Sequence, residues 1–383
     1  MNMKELFWYP PAETKLSKKA LLESFKGGIP DFEKTLSSYL GMQPLILGDS
    51  GRGLLAELLK ALKKKYPGRT CVMIPGYTCY SVAASVVNAG LEIRLYDINP
   101  QTLAPDMKSL EENCSQNTLA VLVQHLFGIP VRMDYIKAFS SRAGIWLIED
   151  AAQGLGGSID GKPLGTTGDF GLFSFGRGKP LPLGCGGAFT GKHPDILKQM
   201  VLFPSGTGRT CIIKAALVKI LSHPLLYGML ERLPLGLGKT VFDPVFNCKT
   251  LPQRVNVLGS LSFNSLTELN NHRRRISSIY SKRLSGLSVP VPETGIAVFT
   301  RFPVMAGNNA IPLKLKRLGV RRMYPKALND EPEIAAAIVN KDAAFAGSSS
   351  VAENLVTLPT HSGISGSIAD TISEEVAAWI KSS

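Results

Sequence analysis

The sequence predicts an α/β fold: a large domain built on a mixed, mostly parallel sheet covered by helices on both faces, followed by a smaller C-terminal α+β domain. Three observations predict it. Between residues 70 and 148 short apolar runs alternate with segments long enough for helices, and parallel strands need such crossovers. The chain has 383 residues, too long for one small core and suited to a large domain with a smaller partner. Hydrophobic residues make up 44% and charged residues 19%, the balance of an ordinary globular chain, which excludes a disordered or fibrous one.

Taken in order, the first fourteen residues carry Lys4, Glu5, Pro10, Pro11 and Glu13 and lack the apolar run of a secretory signal, so export is not expected. The segment 1–29 is expected to pack against the small domain. From about 32 to 66 the pattern is helical, with Leu54, Leu55, Leu58, Leu59 and Leu62 at the spacing of one apolar helical face. Just before that face stand Asp49, Ser50, Gly51, Arg52 and Gly53. The runs at 70–74, 92–96, 119–124 and 145–148 read as strands, and 81–89 and 133–142 as helices between them. From 154 to 187 glycines are interleaved with Phe170, Phe173 and Phe175, which predicts short strands and tight turns that bring backbone close to a ligand. The large domain is placed at 30–240 and the small one at 241–383, where 261–284 reads as a polar helix with Arg273, Arg274 and Arg275 on a solvated face.

The formal charge of +13, from 43 Lys and Arg against 30 Asp and Glu, favours an anionic partner. No basic run interleaved with aromatics and no zinc-finger or helix-turn-helix pattern is present, so a nucleic-acid role is not expected. Six cysteines are scattered without metal-site or disulfide-scaffold spacing, which fits a reducing cytoplasm and no bound metal. No stretch is long and apolar enough to span a bilayer.

Chemistry concentrates in two motifs. Ile148, Glu149, Asp150, Ala151, Ala152 and Gln153 form a strand ending in acids followed by small residues. Ligands collect at the carboxyl ends of parallel strands, so an acid there points into a site; a solvated turn is the plain alternative. The run from Asp169 to Lys179 puts Ser174 and Lys179 five apart among glycines and phenylalanines, ahead of Gly184, Cys185, Gly186 and Gly187. A lysine in such surroundings is partly desolvated, which lowers its pKa and frees a neutral amine to attack a carbonyl. Taken alone, a surface lysine in a glycine-rich loop is the commoner case.

Together these motifs resemble the DegT-type (DegT/StrS-like) sugar aminotransferases, a branch of the fold-type-I pyridoxal-phosphate enzymes. The family's acidic box, Gly-Asp pair, Phe-Ser-Phe run, lysine and Gly-x-Gly-Gly turn stand here in order, from Glu149 to Gly187. The strand-end run from Gln124 to Gly128, the segment from Pro75 to Thr78 and the run from Leu358 to His361 also match, so the resemblance extends from about residue 32 to 379. It implies pyridoxal 5'-phosphate as cofactor, with Lys179 bonding it covalently and shuttling a proton, Asp150 pairing with its pyridine nitrogen, and Gln153 beside its ring. Ser174 and the backbone amides of Gly51 and Arg52 would bind its phosphate. It further implies a homodimer that aminates a keto-sugar, nucleotide-linked, for surface polysaccharide, with glutamate as amino donor.

The chain departs from the family at several points. Arg52 stands in place of a threonine, and Cys79 where an aromatic often covers the cofactor ring, leaving Tyr77 or Tyr80 as substitutes. The segment that reaches the neighbouring subunit's cofactor is not recognisable beyond Asn247. His125, Tyr324 and His361 match family positions, His125 reading first as a hydrogen-bonded core residue; Tyr77, Tyr80, His125 and Tyr324 are the candidate substrate contacts. The stretch 210–239 is longer and more apolar than its family counterpart; it suits a dimer contact or a lid, and also a membrane interface. Lys179 argues against the sugar dehydratase branch, which carries histidine there. Two other functions stay open: an aminotransferase for a different carbonyl substrate, and a cofactor-binding regulatory or scaffold protein without turnover.

Overall fold

A computed structural model describes residues 7–12, 15–29, 31–231, 241–324 and 326–382. Its main sheet holds seven strands: β1 (Leu45–Gly48), β2 (Cys71–Pro75), β3 (Glu92–Tyr96), β4 (Thr118–Gln124), β5 (Trp146–Asp150), β8 (Phe170–Ser174) and β9 (Gly187–Gly191), in the order β1-β9-β8-β5-β4-β2-β3. β9 runs antiparallel to both of its neighbours, β1 and β8, while β8, β5, β4, β2 and β3 run parallel. The central β4 is buried at every position, as a strand covered on both faces must be. Its side chains alternate, Ala120 and Leu122 joining one core and Val121 and Val123 the other.

On the first face lie α3 (Gly51–Lys65), α4 (Tyr80–Asn88) and the short α7 (Pro194–Leu197), with Leu54, Leu58 and Leu62 packed on Val72, Ile74 and Ile148. The opposite face carries α5 (Met107–Asn113) and α6 (Asp134–Ala143), through Leu110, Ile136 and Phe139. The small strands β6 (Ser158–Ile159) and β7 (Lys162–Pro163) form a separate sheet with β10 (Gly295–Ile296).

The helical reading of 32–66 needs correction. α2 (Phe32–Leu40) ends at Gly41, left-handed with φ 64°, β1 follows, and α3 starts only after Ser50, whose hydroxyl accepts the Gly53 N–H at 3.2 Å. The four residues of β1 pair with β9, a long-range contact that local periodicity does not register. The helix α5, capped by Asp106 on the Ser109 N–H at 3.0 Å, was likewise not anticipated.

In the C-terminal part β11 (Phe302–Met305) and β12 (Leu355–Leu358) pair antiparallel. They pack against α11 (Leu266–Arg283) and α15 (Gly366–Lys381) through Tyr280, Ile276, Ile372 and Val376. Shorter helices α12 (Leu313–Arg317), α13 (Pro332–Ala335) and α14 (Ala346–Asn354) complete it. Asp97, at the end of β3, fastens this part to the sheet by accepting the N–H groups of Gly347 and Ser348 at the start of α14, at 2.8 and 2.6 Å.

The N-terminal segment is held at several places: α1 (Lys18–Lys26) lies on α10 (Gln253–Phe263) and α8 (Arg209–Leu221), while the Pro10 carbonyl accepts from His361 Nε2 at 2.8 Å. α8 meets α9 (Pro224–Leu230) at a 99° bend, and no single helix among the described residues is long and apolar enough to cross a membrane. Residues 232–239 of the long apolar stretch 210–239 lie outside the described residues.

Candidate active site

A cavity opens at the carboxyl ends of β4, β5 and β8, bounded by the first turns of α3 and α4. It is lined by Gly51, Arg52, Thr78, Cys79, Gln124, His125, Asp150, Gln153, Ser174, Lys179 and Tyr324, among others. The expected cofactor residues therefore all line one cavity, although Gly51 and Lys179 are far apart in sequence. Of the four expected substrate contacts, His125 and Tyr324 line the cavity and Tyr77 and Tyr80 do not. Tyr77 is buried edge-on against Tyr324, ring centres 5.5 Å apart, and Tyr80 gives its hydroxyl hydrogen to Glu331. The cavity wall at that turn is instead Cys79, whose sulfur accepts the Ser81 hydroxyl at 3.0 Å.

One end of the cavity is built to receive an anion. The N-terminus of α3 supplies first-turn N–H groups and the positive end of a helix dipole, and Ser174 stands beside it: a Cβ added to Gly51 would lie 3.4 Å from Ser174 Cβ. The approach depends on Gly187, where an added Cβ would lie 2.6 Å from the Gly51 nitrogen. The Arg52 guanidinium lies 4.6 Å over the Phe246 ring, a cation–π contact that fixes its direction. Asn247, next in sequence, is exposed.

At the other end Asp150 accepts the Ala152 N–H at 2.9 Å, which sets the plane of its carboxylate. Burial pushes its pKa up from the ordinary aspartate value, opposed by Lys179, the Ala152 N–H and His125; a cationic partner in the cavity would favour the ionised form further. Gln153 is oriented by the Thr300 hydroxyl, which donates to its side-chain oxygen at 2.9 Å.

The neighbouring acid Glu149 turns to the other side of the strand. It accepts the Gly165, Thr167 and Gly168 N–H groups at 2.6, 2.7 and 2.9 Å. His125 Nδ1 accepts the Val131 N–H at 3.0 Å, so its hydrogen sits on Nε2 and is donated to Glu149 Oε1 at 2.8 Å. His125 is thus a bonded core residue whose ring edge also meets the cavity.

Arg273 corrects the expectation of a solvated face for residues 273–275. It is buried and donates to the Pro180 carbonyl at 3.1 Å, the Asn270 side chain at 2.6 Å and the Lys179 carbonyl at 3.5 Å. The backbone that carries Lys179 is therefore held from α11. Arg275, exposed and bonded to His272, does follow the expectation.

A seven-stranded sheet with one reversed strand, and a cavity at its strand ends holding an acid, a lysine and an anion-receiving helix start, define a fold-type-I pyridoxal-phosphate transferase architecture. The chain belongs to the DegT/DnrJ/EryC1/StrS aminotransferase family, whose model matches residues 21–227, more than half of its length. It is similar to the GDP-perosamine synthase of Caulobacter vibrioides, 33% identical over 174 residues that cover 45% of this chain and 46% of that protein. The chain thus aligns with less than half the length of this curated relative. Among solved structures, Helicobacter pylori PseC, an aminotransferase involved in the biosynthesis of pseudoaminic acid, superposes with a TM-score of 0.78 at 16% identity, covering 98% of this chain and all of that one, 100%. The PLP form of a putative sugar aminotransferase, Spr1654 of Streptococcus pneumoniae, gives 0.76 at 19% identity, with 98% of each chain covered.

Proposed function

We propose that this protein is a pyridoxal-phosphate-dependent aminotransferase that converts the carbonyl of a nucleotide-linked keto-sugar to an amine, with glutamate as amino donor. The observation that carries the reading is the convergence of Lys179, Asp150, Gln153, Ser174 and the start of α3 on one cavity. The donor set fits the cofactor: an acid for its ring nitrogen, an amine for its aldehyde, and hydroxyl and N–H donors for its phosphate. When bound, pyridoxal phosphate supplies an electron sink for the substrate carbon that gains or loses a proton.

The chain's own residues supply the rest. Asp150 keeps a proton on the ring nitrogen through a charge-assisted hydrogen bond, and the Ala152 N–H holds its carboxylate in place for that task. Lys179 Nζ would serve as the general acid–base, carrying a proton from the donor's carbon to the cofactor carbon in one half-reaction and from there to the sugar carbon in the other. Ser174 Oγ and the first-turn amides of α3 hold the phosphate, and Gln153, fixed by Thr300, borders the ring. The nucleotide-linked substrate is supported by the likeness to a GDP-sugar enzyme and by the cationic character of the chain. The same reading expects two copies of the chain in the working enzyme, which light scattering measures directly.

The test is the visible absorption spectrum of the purified protein with added pyridoxal phosphate, before and after glutamate, for wild type and Lys179→Ala. The reading expects a visible band in wild type that glutamate bleaches, and no lysine-linked band in the variant. A wild type that binds no cofactor overturns it, and a band indifferent to every amino donor leaves a binding protein without turnover.

A further inference from the structure

Among the described residues, the helix pair that follows β9 leaves an apolar surface uncovered. α8 buries Ile212 and Ala215 on one side and presents Ile213, Leu217 and Ile220 on the other, at 55%, 51% and 59% exposure. α1 runs beside it and adds Leu22 and Phe25, exposed at 64% and 46%, and the two helices share the walls of one apolar groove. Single exposed apolar residues are ordinary, but a contiguous set from two neighbouring helices marks a contact surface.

We propose that this face docks on an anionic phospholipid bilayer, with α8 lying in the plane of the headgroups. Charge selects the occupant. Between Asp195 and Glu231 the sequence has no acidic residue, while α8 carries Arg209 and Lys214, both exposed, and Lys219, whose ammonium donates to the Leu16 carbonyl. α1 carries Lys18, Lys19 and Lys26 against one acid, Glu23. An apolar strip bordered by cations matches a lipid surface, where the strip enters the acyl boundary and exposed cations such as Lys18, Lys19, Arg209 and Lys214 extend to phosphate. A second copy fits less well, since a twofold contact sets the patch against itself and brings the same cations together without acids. Geometry selects the mode. The 13 residues of α8 span about 20 Å, short of the ~30 Å hydrocarbon core, and the chain then turns through 99° into α9. It therefore lies on the membrane rather than across it.

The inner side of the docking helix packs near the loop that carries Lys179. Ala215, on the buried side of α8, packs on the turn after Lys179, where a Cβ added to Gly184 would lie 3.1 Å from Ala215 Cβ. Glu231, just beyond α9, pairs with Arg321 at 3.0 Å, three residues before the cavity-lining Tyr324. Docking would set the catalytic pocket close to the bilayer surface.

The experiment is co-sedimentation of the full chain, loaded with pyridoxal phosphate, with vesicles of phosphatidylcholine alone or mixed with phosphatidylglycerol, at low and high salt. Wild type should pellet with the mixed vesicles, release in high salt, and lose affinity at least about tenfold in the Ile213→Glu, Leu217→Glu double variant. Circular dichroism of the variant checks that it folds. Should it fail to, hydrogen exchange on wild type replaces it, with protection of 18–26 and 209–221 expected when mixed vesicles are added. Wild type that stays in solution with mixed vesicles, or a folded variant that binds them equally well, overturns the proposal. So does a variant whose mass halves while wild type ignores lipid, since a second copy then covers the face. The cofactor band, read on the same samples, tells failure of docking apart from failure of the aminotransferase reading.

Discussion

Glu149 and Asp150 are adjacent, yet the strand directs them to opposite tasks. Asp150 faces the cavity, whereas Glu149 is spent on structure: it gathers three backbone N–H groups from the 165–168 turn and the Nε2–H of His125. Burial alone would raise its pKa, but the His125 bond and the Gly168 and Gly165 amides outweigh it and hold the carboxyl below 4.5, its ordinary value. A carboxyl depressed in the folded state adds stability that is complete above that value and is lost as pH falls through the lower folded-state value. Glu149→Gln keeps an oxygen for His125 but turns an NH2 group toward the Thr167 and Gly168 donors, a loss of about 2–4 kcal/mol at neutral pH. In urea denaturation across pH, the gap between wild type and variant should be widest near neutrality and narrow in acid. A gap that widens in acid would refute this account of the pair.

At the scale of elements, α11 shows where local reading of a sequence stops. Three successive helical residues spread through roughly 200°, so Arg273, Arg274 and Arg275 cannot share one solvated face, and tertiary packing decides which turns inward. Arg273 does, reaching the backbone of Lys179 and Pro180. Arg273→Ala strands those buried carbonyls and the Asn270 side chain; we expect about 2–4 kcal/mol of destabilisation. Weaker cofactor binding should follow, with the lysine-linked band still formed. Arg273→Lys should recover only part, since an ammonium cannot reproduce the guanidinium's spread of donors; thermal melts and cofactor titrations measure both.

The same limit explains what else the sequence left hidden. Strands β2, β4 and β5 are legible as largely buried apolar runs, and β3 by the alternation of Ile93 and Leu95 with Glu92 and Arg94, so that the signal of each lies in its own residues. β1 exists by pairing with residues far along the chain, and so disappears into the helical pattern around it. The cavity follows the same division. Asp150 sits in one motif and Ser174 and Lys179 in a second shortly after it, and their convergence could be anticipated. Tyr77 and Tyr80 could not be sorted from Cys79 without the turn into α4, which aims the thiol at the cavity and the two phenols into packing. Thr78 and Ser81 line the cavity too, and nothing in their spacing distinguishes them from ordinary turn residues.

The whole molecule carries a charge of +13, and part of that excess lies on α1 and α8, away from the cavity. A field of this sign raises the local concentration of an anionic substrate and speeds its encounter with the site, an effect that salt screens. A nucleotide-linked sugar brings a diphosphate and should feel the field; the same keto-sugar without its nucleotide should not. For the linked substrate, kcat/KM should fall roughly tenfold or more between low and high salt, mostly through KM, while the free sugar changes little. Reversing Lys18, Lys19 and Lys214 to glutamate removes charge from the outer face without touching the cavity. That variant should keep nearly all of the salt dependence of catalysis if the field that matters is focused at the site, and lose it in proportion to net charge if the molecule acts as a uniform cation. Steady-state kinetics on wild type and this variant with the two substrates separates these cases: a linked substrate insensitive to salt would mean that its diphosphate does not enter the field of the chain, and would count against a nucleotide-linked sugar as the acceptor.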